Sequence, residues 1–211
     1  MNSKKKLVFE KNWRKYDQWY EEHQDVYKSE LDAVKELIPA GKGMEIGVGT
    51  GRFATPFHLE FGLDPSLNML QLSKKRGVKV VCGKGEELPF KNESFHFILI
   101  VVTLCFVNDV MRVLKESKRA LKKSGTLIIG LINKNSPLGK KYQKSRKKSE
   151  FYRDAEFLYP EKILNLLKIT GFEFIDSRQT LIQPLHEISP SQIPEKGYDQ
   201  GGFVVLKARK I

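Results

Sequence analysis

Residues 94–104 read SFHFILIVVTL, apolar at almost every position. A strand with one wet face alternates polar and apolar side chains, so a continuous run predicts a central strand covered on both faces. The run is about half the roughly 20 residues that a membrane-crossing helix needs. Helices must supply both covers, and the flanking sequence offers them. Helical periodicity over 13–38 predicts one long helix, stopped by Pro39 and Gly41; a strand follows at 44–48, then a short helix from Thr50. A second strand over 57–64 ends on Asp64, Pro65 opens a helix that Gly77 closes, and a third strand lies at 78–82. An amphipathic helix over 109–122, a strand over 125–132, a helix over 159–171 and strands over 172–180 and 201–210 complete the pattern. Seven strands alternating with helices predict an α/β fold with a doubly wound, mostly parallel sheet and helices on both faces.

The first strand runs into MEIGVGTGRF (44–53), with glycines at 47, 49 and 51. Glycine inside an element costs roughly 0.5–1 kcal/mol relative to alanine, so three together have a geometric cause. Either a turn needs positive φ or a ligand approaches the backbone. The segment falls at the carboxyl edge of the sheet, where ligands bind near the topological switch point and a helix N-terminus offers free N–H groups. Alternate glycines there favour close ligand approach. A dinucleotide turn, G-x-G-x-x-G counted from Gly47, needs glycine at position 52, which is Arg52. The pattern is instead Glu45-x-Gly47-x-Gly49-x-Gly51.

With that motif, four further stretches stand in register: FGLDPSLNML (61–70), GKGEELPFKNESFHFILI (83–100), VLKESKRALKKSGTLIIG (113–130) and the early YDQWY (16–20). Together they resemble the class I S-adenosylmethionine-dependent methyltransferases of the small-molecule group called type 11, from about residue 13 to 205. The resemblance implies a Rossmann-like seven-stranded sheet with its last strand antiparallel, and S-adenosyl-L-methionine as cofactor. It implies one methyltransferase domain over 1–211: an N-terminal cap helix region (1–39), a cofactor-binding core (40–135), and a lid segment with the C-terminal helix and last two strands (136–211). It places Glu45, Gly47, Gly49 and Gly51 on the cofactor, with Glu45 near its ammonium, and gives the ribose hydroxyls to Asp64. Pro65, Ser66 and Met69 follow beside it, with Leu67 or Met69 as an apolar wall. Gly85 and Glu86 fall at the adenine, and Thr103, which heads an acceptor pocket over 103–108, and Tyr16 and Tyr20 of the aromatic cap also count among the cofactor-binding residues. From the residues alone Asp64 could instead cap the helix before Ser66, and Glu45 could simply brace the glycine loop. Three departures stand out: Lys84 has no acceptor for an adenine amino group, His96 replaces an Asp far from the site, and Lys123-Ser124-Gly125 alters a turn.

No catalytic residue stands out. Methyl transfer from a sulfonium needs alignment, and an acid–base group is optional. Tyr16, His23, His186 and Tyr198 are candidate bases, each with a packing or solvated alternative. Cys82 and Cys105 sit in apolar runs, which predicts reduced, buried thiols; they form no metal knuckle, and no metal is expected. Together with the lack of an apolar leader they point to the cytoplasm. The net charge of +12 allows a polyanionic partner. Yet the chain lacks basic–aromatic interleaving, so the acceptor is read as a small molecule and nucleic acid is disfavoured, with oligomeric state open. An RNA methyltransferase and a non-catalytic cofactor-binding protein of the same fold remain the alternatives. The lysine-dense stretch 140–148 fits a solvated helix face, a lid over a polar substrate or an RNA contact; 136–152 and 183–202 are candidate lids. Arg52 yields a first test: calorimetry should show S-adenosylmethionine and S-adenosylhomocysteine binding, with NAD at least about tenfold weaker. Tight NAD binding would contradict the cofactor assignment.

Overall fold

In the computed structural model, which describes residues 3–188 and 190–211, the apolar run becomes β4 (Phe95–Val101) at the middle of the sheet. Its side chains sort onto two faces. Phe97, Leu99 and Val101 enter one hydrophobic cluster, while Ile98 and Ile100 enter the other. The first face is covered by α1 (Ser3–Glu22) and α2 (Gln24–Lys35), through Tyr20, Val26 and Val34. The second is covered by α4 (Val110–Ala120) and α6 (Pro160–Ile169), through Val113, Leu114, Ile163 and Leu167.

Eight strands form one sheet in the order β3-β2-β1-β4-β5-β8-β6-β7. The strands β1 (Gly43–Ile46), β2 (Phe61–Asp64), β3 (Lys79–Cys82), β4 and β5 (Leu121–Ile132) pair in parallel. The last strand, β8 (Phe203–Lys210), enters antiparallel between β5 and β6 (Phe172–Thr180). After reaching the edge at β3 the chain returns to lay β4 beside β1, so the order reverses between β1 and β4. That crevice is where open α/β sheets bind ligands.

Several expectations need correction. The eighth strand, β7 (Glu195–Lys196), pairs with Arg178 and Gln179 at the edge, and two residues are too few to show a period. No helix starts at Thr50; residues 50–58 form turns, with Gly51 and His58 at positive φ. The N-terminal helix is two helices, broken at His23, whose φ of −127° and ψ of 50° are not helical. The second strand begins at Phe61 rather than Phe57. Cys82 is exposed because β3 is an edge strand, whereas Cys105 is buried. No helix among the described residues is long and apolar enough to cross a membrane.

The cap helix is fastened to the core through Asp17. Its carboxylate accepts from Arg52 Nε and Nη2, both at 2.8 Å, and from Arg76 Nη1 and Nη2 at 2.7 and 2.9 Å. Arg52 also pairs with Glu21 at 2.5 Å, and Arg76 donates to the Thr50 carbonyl at 2.7 Å. The arginine that replaces a dinucleotide glycine is thus the bolt between α1 and the glycine loop. Burial alone would raise the Asp17 pKa, but the hydrogen bonds from Arg76 and Arg52 outweigh it and hold the group well below the carboxylate range. A depressed pKa stabilises the fold above the unfolded value near 4 and is lost as pH falls through the folded one. Asp17→Ala leaves two guanidinium groups facing each other, and breaking such a pair costs on the order of 3 kcal/mol. Hydrogen exchange should show α1 amides opening in this variant at neutral pH while β4 and β5 stay protected; unchanged α1 protection would refute the tether.

Candidate functional site

Asp64, the last residue of β2, organises the sheet's carboxyl edge. Its Oδ2 accepts from the Gly49 N–H at 3.1 Å and its Oδ1 from the Ser66 N–H at 2.8 Å. It joins the glycine loop to the start of α3 (Leu67–Lys75). The cap of α3 is Ser66, whose hydroxyl accepts from Met69 N–H, so the alternative of Asp64 as N-cap is corrected. The Ser66 hydroxyl also donates to Glu10 at 2.5 Å, which brings α1 over this corner.

The glycines divide their work. At Gly47 (φ +75°) a Cβ would fall 2.1 Å from Thr103 Oγ1, so the first strand's turn and the residue after β4 interlock. Gly49 (φ +50°) has only the Tyr16 ring in front of it, at 3.7 Å, and its backbone borders open space. Gly51 (φ +87°) faces Ser73 of α3, where a Cβ would fall 2.9 Å from Oγ.

That open space is a cavity of about 360 Å³, within the range of small-molecule sites. Of the predicted residues, Gly47, Gly49, Asp64, Pro65, Met69, Thr103, Tyr16 and Tyr20 line it. Glu45, Gly51, Ser66, Gly85 and Glu86 do not. Glu45 is buried behind the loop, one carboxylate oxygen lacking a hydrogen-bond partner, and burial drives its pKa well up. Gly85 packs on Ile46 and Val113, and Glu86 accepts from the Asn108 N–H at 2.9 Å. Leu67 is exposed, whereas Met69 is buried and lines the cavity. Within 103–108, Thr103 and Phe106 face the cavity and Cys105 does not; its thiol donates to the Val102 carbonyl.

Aromatic side chains form much of the cavity wall. Phe9 stacks edge-on against Phe106 at 5.0 Å, Tyr16 and Tyr20 share a hydroxyl hydrogen bond of 2.9 Å, and Tyr142 lies on Tyr152 at 5.1 Å. Tyr142 comes from α5 (Pro137–Ser145) and Tyr152 from the segment after it; Leu185 reaches in from 183–202. The lysines of 140–148 point outward and are exposed. Two lining residues, Val102 (φ +45°) and Leu181 (φ +57°), hold left-handed backbone, which costs on the order of 1–3 kcal/mol each and clusters at functional sites.

Of the candidate bases only Tyr16 lines the cavity, and burial pushes its phenol above the usual range. His23 stacks on Trp19, His186 is exposed, and Tyr198 packs edge-on against Phe174. The titratable group that sequence reasoning missed is Glu30, on α2. It is 7% exposed, lines the cavity, and burial lifts its pKa to about 8. Only its lone charge on an apolar helix face could have drawn attention.

Glycine loop, Asp64 carboxylate and cavity thus come together at the topological switch point of a Rossmann-like sheet, a candidate ligand site. Comparison narrows the class. The family described as a methyltransferase domain matches residues 44–129. A Thermotoga maritima crystal structure, of an S-adenosylmethionine-dependent methyltransferase described as a possible histamine N-methyltransferase, is 45% identical, with a TM-score of 0.95 over 97% of this chain and 99% of that one. An uncharacterised protein of Methanocaldococcus jannaschii is 45% identical over 97% of this chain and 99% of its own length. A demethylmenaquinone methyltransferase of Staphylococcus aureus is 26% identical over 78% and 83%. The chain belongs to the S-adenosylmethionine-dependent methyltransferases.

Glu30 generates a pH prediction. A carboxyl whose folded pKa is raised contributes fully below its unfolded value near 4.5, and that contribution is lost as pH rises through about 8. Stability of the ligand-free protein should therefore fall between pH 5 and 8. Glu30→Gln should flatten the slope by up to about 1.4 kcal/mol per pH unit, leaving the same-signed share of Glu45. Urea unfolding at several pH values measures this; identical slopes would show that Glu30 ionises freely.

Proposed function

We propose that the protein transfers a methyl group from S-adenosylmethionine to a small molecule held in the aromatic end of the cavity. The observation that carries this is the lining: enclosed, aromatic, and bearing Glu22, Glu30, Asp64 and Glu150 against one lysine, Lys15, itself tied to Glu150 at 2.6 Å. A chain of net charge +12 thus keeps an acidic site, which repels a phosphate backbone. The acceptors in the names of the Thermotoga and Staphylococcus proteins, histamine and demethylmenaquinone, are both small molecules.

The residues fit the cofactor. Gly49 leaves its backbone uncovered by side chain on the cavity side, and Asp64 brings a carboxylate to the wall, suited to a ribose diol. Met69 offers an apolar surface to a flat ring, with Pro65 beside Asp64. The orphaned oxygen of Glu45 suits a bound water behind the loop. When bound, S-adenosylmethionine supplies a methyl on a sulfonium that leaves as a neutral thioether. The protein's part is to align the acceptor, exclude water with the aromatic shell and receive a proton where the acceptor must lose one.

Labelled S-adenosylmethionine incubated with extracted metabolites and, separately, with total RNA tests the acceptor class. Label should enter a small-molecule fraction. Label confined to RNA, and lost in a Lys140/Lys141/Lys147/Lys148 quadruple alanine variant, would overturn the proposal. Asp64→Ala should weaken S-adenosylhomocysteine by about 30- to 1000-fold, for a loss of about 2–4 kcal/mol, and Asp64→Asn by less. Unchanged affinity in Asp64→Ala would remove the ribose assignment.

A further inference from the structure

One group in the cavity has no task in cofactor binding. The Glu30 carboxylate is more than nine-tenths buried, lines the cavity, makes no hydrogen bond among the described residues and has no Lys, Arg or His within ion-pair distance there. A buried unpaired carboxyl costs free energy in the folded protein unless a ligand completes it. Its surroundings say which ligand. Tyr16 and Tyr20 from α1, Tyr27 from α2 itself, Tyr142 from α5 and Tyr152 from the following segment all feel its charge. None of these phenols can neutralise it. Aromatic faces attract cations, and the other charged side chains lining the cavity are Glu22, Asp64 and Glu150 with a single lysine, Lys15, which is itself paired with Glu150.

We infer that Glu30 is the acceptor-binding residue and that the acceptor carries a basic amine. The inference rests on the methyltransferase proposal and deepens it. The amine enters as an ammonium ion and pairs with the Glu30 carboxylate inside the aromatic shell. One proton then passes from the nitrogen to a Glu30 oxygen, freeing the nitrogen lone pair. That pair forms the new nitrogen–carbon bond as the methyl carbon–sulfur bond breaks toward sulfur, leaving a methylated ammonium product and a protonated Glu30 that returns its proton to water. A neutral oxygen or carbon nucleophile leaves the ion pair unmade, so the site discriminates by charge.

The test uses the full chain with saturating S-adenosylhomocysteine, and 2-phenylethylamine against its neutral isostere 2-phenylethanol. Calorimetry at pH 7.5 should show the amine binding at least about tenfold more tightly than the alcohol. Because burial keeps most of Glu30 protonated in the ligand-free site at this pH, with a pKa of about 8, amine binding should release about three-quarters of a proton, read from the heats in two buffers of different ionisation enthalpy. Glu30→Gln should erase both the discrimination and the proton release, while S-adenosylhomocysteine affinity stays within about twofold. Equal binding of amine and alcohol by the parent overturns the inference, as does discrimination that survives in Glu30→Gln. Loss of S-adenosylhomocysteine affinity in that variant reassigns Glu30 to the cofactor and also overturns it. If Glu30→Gln does not fold, Glu30→Asp serves, with its shorter reach expected to weaken the amine and not the alcohol. Failure of the parent to bind S-adenosylhomocysteine refutes the cofactor proposal itself, a separate outcome.

Discussion

The contact on which the cavity depends is between Asp17 and two arginines, Arg52 and Arg76. The sheet alone offers a shallow crevice between β1 and β4. It becomes an enclosed site because α1 lies across it, carrying Phe9, Tyr16 and Tyr20 into the walls. A helix with so many charged side chains has limited apolar area to hold it there. Four guanidinium hydrogen bonds, part-buried and bidentate on both sides, fix its position in a way that hydrophobic contact, being non-directional, cannot. Glu10, bonded to Ser66 and Asn68, pins the same helix at the start of α3. The cap is held at two points, by polar groups with defined geometry.

The sign of charge then separates surface from site. Lysines cover the outside of α5 and the turn after it, while the same stretch turns Tyr142 and Tyr152 inward. One segment serves solubility and enclosure on opposite faces. The carboxylates inside belong to α1, α2, β2 and the segment after α5, so the acidity of the cavity is assembled from elements distant in sequence and is hidden in a net charge of +12.

This explains which features were legible beforehand. Strand positions were readable because apolar runs and helix periodicity are local. The carboxyl-edge location of Gly47, Gly49 and Asp64 followed from the strand–helix alternation, and their motif carried the cofactor class. The two-residue β7 left no period, and the break at His23 was masked by helical residues on both sides. Glu30 was hard to see for a different reason: Tyr142 and Tyr152, which share its cavity and feel its charge, lie more than a hundred residues away. The equal spacing of the glycines hides that their surroundings differ. Gly51 answers to Ser73, a contact that only the packing of α3 on the loop creates.

The site is also where the fold accepts local cost. Val102 and Leu181 adopt left-handed backbone that their side chains disfavour, and Glu30 and Glu45 are buried without charge partners. None of this serves the sheet, whose core is apolar on both faces. The strained residues sit where strands end at the cavity: Val102 follows β4 and donates its N–H to the Gly130 carbonyl at 2.8 Å, and Leu181 follows β6 and its carbonyl accepts from the Gly202 N–H at 3.1 Å. Regular pairing on either side holds each of them in place. The rigid sheet thus supplies the stability against which the strained turns and unpaired carboxyls are held, and a ligand that completes those carboxyls recovers part of it on binding.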